Sequence, residues 1–126
     1  MKKVITSTQA PTPIGPYSQA ILSGDTLYIS GQVPMNIKTG ELEMSSIEAE
    51  TKCVMTNLEA ILKEAGMTFE NVVKCSIFIS DMNNFGRINE VYGQYFDKNT
   101  APARETVQVA ALPRGVNVEI SAIAVK

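Results

Sequence analysis

Two alternating stretches near the C-terminus bring together a cation and a carboxylate suited to chemistry. Ala103–Val109 holds Arg104, Thr106 and Gln108 on one parity, with Val107 and Val109 on the other. Val116–Val125 places Val116, Val118, Ile120, Ala122 and Ala124 on one parity and Glu119 on the other. Period-two alternation marks half-buried strands. The intervening Leu112-Pro113-Arg114-Gly115 suits a hairpin loop. If the two strands pair antiparallel with their valines on one core, Arg104 and Glu119 share the opposite face. Glu105 then falls on the other face of its strand, and Arg114 is solvated in the loop. An arginine fork binds a carboxylate through two parallel hydrogen bonds. A nearby glutamate can move protons to and from water. The plainer alternative is a surface ion pair contributing about 0–1 kcal/mol.

The chain contains no histidine. That removes Ser-His and Cys-His nucleophile pairs and most zinc sites. Carboxylates and tyrosines are left for acid–base work. Of the two cysteines, Cys53 falls on the first helix and Cys75 on an apolar strand face, and both are expected to be buried small hydrophobes.

The elements that must position these residues follow from the patterning. Lys2–Thr6 is a short strand candidate, and Ala10–Pro16 holds three of the six prolines, so it is extended or turned. Tyr17–Leu22 and Thr26–Ser30 form two strands around Ser23-Gly24-Asp25, and Met35–Glu43 forms a loop with a turn at Thr39-Gly40. The period then changes. Ser45 with Glu48 has the capping-box spacing, and Val54, Leu58, Ile61, Leu62 and Ala65 mark a helix over Ser46–Ala65, with Gly66 as its C-terminal cap. Asn71–Ile79 alternates, with Val73, Cys75, Ile77 and Ile79 on one face. Asp81 caps a second helix through Phe96, which Gly86 and Gly93 weaken. The order β-β-β-α-β-α-β-β predicts an α+β fold: one mixed sheet with two helices on one face. The other face mixes polar residues with Ile123 and Val125, which points to burial against partner subunits.

At 126 residues the chain has the length of one ordinary domain, residues 1–126. A net charge of −2 and a pI near 5.1 argue against a nucleic-acid footprint. No apolar run approaches the ~18 residues of a membrane span, and Lys2-Lys3 precedes no signal-peptide core, so a soluble, cytoplasmic protein is expected.

Several stretches resemble the RidA/YjgF family. They are Ala101-Pro102-Ala103-Arg104, Leu112-Pro113, the run Val118–Ala124, Gly15-Pro16-Tyr17-Ser18-Gln19-Ala20, and Ser30-Gly31-Gln32-Val33-Pro34. They cover nearly the whole chain, in order. The resemblance implies a chorismate mutase-like fold and a homotrimer with clefts between subunits. It implies a cofactor-free enamine/imine deaminase that releases 2-keto acid and ammonia. It assigns Arg104 to the substrate carboxylate, Glu119 to catalysis, and Tyr17 to binding and catalysis. Gly31, Asn89 and Thr106 take supporting places in substrate binding. Many family members have a cysteine where this chain has Thr106, so any scheme resting on that thiol is closed here. Two other functions stay open: a small-carboxylate-binding regulatory module without turnover, and an endoribonuclease or translation inhibitor.

Overall fold

Ser46 begins the first helix. Its backbone is extended (φ −161°, ψ 163°) and its hydroxyl accepts from the Ala49 N–H at 3.0 Å. Ser45, the expected cap, instead donates to Glu43, and Glu48 pairs with Arg87 on the second helix. At the far end Gly66 takes φ 73°, and Met67 N–H returns to Leu62 O at 2.8 Å, the expected glycine closure.

The computed structural model describes residues 1–126. Its main elements are β1 (Lys2–Ile5), β2 (Ala20–Ser23), β3 (Thr26–Gln32), α1 (Ile47–Glu64), β4 (Val72–Ile79), α2 (Phe85–Tyr92), β5 (Ala103–Gln108) and β6 (Val118–Val125). The six strands form one mixed sheet in the order β1-β2-β3-β6-β4-β5. Both helices cover one face, as the element order predicts. The core lies between: Val54, Met55, Leu58, Ile61 and Leu62 of α1 over Leu27, Ile77, Val118, Ile120 and Ala124 of the sheet. No helix is long and apolar enough to cross a membrane.

The predicted closing hairpin does not form. β4 lies between the two strands, antiparallel to β6 and parallel to β5. The physical reason is a β4–α2–β5 crossover, long enough to return β5 parallel to β4. It leaves β4, with buried Cys75, Ile77 and Ile79, paired on both sides beneath the helices. The face assignment changes with it. Arg104 is registered with Cys75 and Thr106 with Ile77, so both point to the helix side. Glu119 is registered with Phe78 and points to the bare side, where Glu105 also lies. Val107, expected in the core, is 40% exposed on that bare side.

Local departures have local causes. The β4–β6 register slips between Val72 and Lys74, so Val73 is an extra residue turned outward, and Val72 takes the core position. The second helix ends at Tyr92, and Gly93–Tyr95 tightens into a 3-10 turn at one of the weakening glycines. Asp81 caps only the preceding 3-10 turn, through Asn83 N–H at 2.9 Å. β2 starts at Ala20, so Tyr17 lies in a loop. Buried Gln19 holds that loop: its amide oxygen accepts from Ser7 N–H at 2.6 Å and its nitrogen donates to Pro11 O at 3.0 Å.

Candidate functional site

The sequence-selected residues fall into two groups on opposite faces of the sheet. Arg104, Asn89 and Thr106 gather on the helix side. Tyr17, Gly31 and Glu119 gather on the other. The common face expected for Arg104 and Glu119 is overturned by the strand order.

Arg104 sits on the edge strand and reaches under α2. Its Nη1 donates to Asn89 Oδ1 at 2.6 Å, and its guanidinium carbon lies 5.0 Å from the Tyr92 ring centroid and 5.6 Å from that of Phe85. Cation–π contacts at this range orient the guanidinium plane. Neither ion pair in the chain uses Arg104: Lys74 pairs with Glu105 at 3.0 Å, and Arg87 with Glu48 at 2.6 Å. Its fork is thus oriented but free of a carboxylate within its own chain. Two buried hydroxyls close by, on Tyr92 and Thr106, have no hydrogen-bond partner. Burial, more than the adjacent Cys75 thiol, raises the Tyr92 pKa.

Glu119 lies over a bulge in β3. Ile29 pairs with Ala122 but Gln32 with Ile120, so the Ser30-Gly31 stretch carries one residue too many. A Cβ on Gly31 would fall 2.6 Å from Glu119 Oε2, so only glycine lets the carboxyl rest there. Burial raises the Glu119 pKa above the ordinary carboxylate range. Tyr17, Gly31 and Glu119 share the wall of a cavity of about 380 Å³. Arg114 shares it too, which loop position alone did not reveal; the signal available was its place between Pro113 and Gly115, a turn context close in sequence to Glu119.

The thiols stand apart from this chemistry. Cys75 is buried as expected, whereas Cys53 is only half-buried on α1. Desolvation pushes Cys53 up to about 11 and raises Cys75, so both remain neutral thiols at pH 7. Cys53→Ala/Cys75→Ala protein is expected to keep its activity. A large loss of turnover with unchanged circular dichroism would reveal a catalytic thiol.

Together, the sheet and its two groups of side chains define a small α+β protein that carries an oriented, unpaired guanidinium on one face of its sheet and a glycine-seated carboxyl on the other. The model of the family described as endoribonuclease L-PSP matches residues 7–126, and the chain belongs to that family. It is 51% identical over 126 residues to the 2-iminobutanoate/2-iminopropanoate deaminase of Mus musculus, covering 100% of this chain and 93% of the relative. Among solved structures, YyfA of the Rid protein family from Yersinia pestis matches at TM-score 0.96 and 47% identity, covering 100% of both chains. E. coli TdcF with bound serine matches at TM-score 0.92 and 41% identity, covering 98% of each.

Proposed function

We propose that this chain is a hydrolytic deaminase of reactive enamine/imine intermediates of the 2-iminobutanoate/2-iminopropanoate class. It acts in the cytoplasm as a homotrimer, in clefts between subunits. The observation that carries this reading is Arg104, oriented by Asn89, Tyr92 and Phe85 yet free of any carboxylate in its own chain. The names of the relatives support the substrate class.

In this scheme Arg104 takes the substrate carboxylate through two parallel hydrogen bonds. The unpartnered Thr106 hydroxyl is a further donor on that side. Glu119 accepts a proton from water as its oxygen bonds to the imine carbon, and C=N becomes C–N. Glu119 returns that proton to nitrogen, which completes the carbinolamine. It then takes the new hydroxyl's proton as C=O forms and passes it to nitrogen as the C–N bond breaks, so that ammonia leaves beside the 2-keto acid. Tyr17 orients water or substrate, and Gly31 allows close approach to bare backbone. A carboxyl whose pKa lies above the ordinary range suits both halves of this transfer.

Arg104 and Glu119 lie on opposite faces with β4 between them, so one substrate meets both only where two copies adjoin. The uncovered sheet face, with Tyr28 50% exposed and Val107 40%, supports such a contact. Light scattering should return three times the 13.7 kDa chain mass. A stable monomer at micromolar concentration would remove the cleft.

The sharper test mixes two inactive variants. Arg104→Ala and Glu119→Gln chains, dissociated and reassembled together, should regain roughly a quarter of wild-type ammonia release, because a head-to-tail interface builds each cleft from two chains. No recovery would place both residues' work within one subunit, or nowhere. Ammonia release from a freshly generated imine also separates this reading from a binding module that holds 2-keto acids without turnover.

A further inference from the structure

Arg114 is the cation that the proposed reaction leaves unused. It and Glu119 are the two charged side chains on the wall of their cavity. It makes no ion pair with this chain. It is also the sole non-glycine residue with positive φ, at 57°. Glycine or asparagine adopts that conformation more readily than arginine, and such strain persists where the surroundings impose it.

The surroundings do impose it. Gly115 N–H donates to Leu112 O at 3.1 Å, which closes the turn around Arg114. The base of the loop is clamped from α1. Buried Glu50 accepts from the Asn117 backbone N–H at 2.9 Å and from its side-chain amide at 2.6 Å, while the Ser80 hydroxyl donates to Asn117 Oδ1 at 2.8 Å. Arg114 is therefore carried by a held turn on the wall of the cavity that Glu119 also lines, with apolar wall from Ile14, Val33, Met35 and Pro113.

A 2-iminopropanoate or 2-iminobutanoate carries only a methyl or ethyl group beyond its imine carbon. With its carboxylate on Arg104 and its imine carbon at Glu119, it would leave the Arg114 end of a cavity of about 380 Å³ unfilled. We propose that Arg114 is a specificity-determining residue that receives a second carboxylate at the far end of the substrate side chain, so that the site also accepts imines of dicarboxylic amino acids. The inference rests on the deaminase reading and deepens it. The chemistry is unchanged: water adds to the imine carbon, the C–N bond breaks, ammonia leaves, and the product is a 2-oxo dicarboxylate. The apolar wall would pack the methylenes between the two carboxylates, and the guanidinium would take the distal one through its fork.

The test generates 2-iminoglutarate and 2-iminobutanoate from their amino acids with an amino-acid oxidase and follows ammonia release with wild-type and Arg114→Gln protein. The ratio of kcat/KM for the dicarboxylate imine to that for the alkyl imine should fall about tenfold or more in the variant. Arg114→Lys should recover part of it. Calorimetry with 2-oxoglutarate and 2-oxobutanoate gives a second readout independent of turnover, in which Arg114→Gln should selectively weaken 2-oxoglutarate. An unchanged ratio, or a wild type that hydrolyses the alkyl imine alone, would overturn the role of Arg114. A wild type that hydrolyses neither imine would overturn the deaminase reading. In that case the Arg114 subsite stands or falls on whether 2-oxoglutarate binding depends on Arg114.

Discussion

Replacing Arg104 with alanine is expected to lower imine hydrolysis about 30-fold to several-thousand-fold. Truncation would leave the substrate carboxylate unpaired in a partly dry cleft, a loss of roughly 2–5 kcal/mol. At ~1.4 kcal/mol per decade, that spans the stated range. The loss should appear chiefly in KM, since the same bond holds ground state and transition state alike. Arg104→Lys should also be poor. An ammonium cannot present two parallel donors to a carboxylate while also donating to Asn89 Oδ1, as the Arg104 guanidinium does at 2.6 Å. Nor does it offer the delocalised cation that Arg104 sets 5.0 Å from the Tyr92 ring centroid and 5.6 Å from that of Phe85. Asn89→Ala should give a smaller loss of the same kind, because the rings still orient the fork. Each variant needs unchanged circular dichroism and oligomer mass to be informative. Near-normal kinetics in Arg104→Lys would mean that simple charge, or nothing, is being used.

Much of the fold was legible because its determinants are local. The helix over Ser46–Ala65 follows from apolar spacing and from Gly66, whose φ of 73° ends it cheaply. The inward parity of Val118, Ile120, Ala122 and Ala124 holds, with all of them buried. Strand order was not legible. A Pro-Arg-Gly loop between two alternating runs looks the same whether the runs pair directly or flank a third strand. The loop here spans that third strand.

The site was legible in its members and not in their arrangement. Period two says which residues of β5 share a face, but not which face meets the helices. Val107 would ordinarily settle that in favour of its own side. On this edge strand it stays outside, and Arg104 enters under α2 because Asn89, Tyr92 and Phe85 match its donors and its plane. The bulges at Ser30-Gly31 and at Val73 were equally hidden, since each inserts one residue without changing the alternation on either side. The first of them seats Glu119. The same strand order explains Glu105, which shares the bare face with Glu119 but is occupied by Lys74 and Ser76.

Glu119→Gln is expected to lower turnover about 10²–10⁴-fold while changing 2-keto acid binding much less. Water must add to the imine carbon, and nitrogen must leave with an added proton. Among the acids near the cavity, Glu119 alone has the place for both steps, resting over Gly31 on the wall it shares with Tyr17. Glutamine keeps shape and hydrogen bonding but cannot hold the proton. The pH profile gives an independent check. Burial raises the Glu119 pKa, so wild-type activity should fall as pH drops through a value above the ordinary carboxylate range, and the variant should lack that limb. Stability should move the opposite way. A carboxyl that binds its proton more tightly folded than unfolded favours the fold at low pH and loses that margin as pH rises through its folded pKa. Glu119→Gln removes the dependence, so its melting temperature should gain on wild type at pH 7 relative to pH 4. Wild-type ammonia release in Glu119→Gln would sink the catalytic role. An equal loss of binding and turnover would reduce Glu119 to a residue that merely shapes the cleft in which Arg104 of a neighbouring copy holds its ligand.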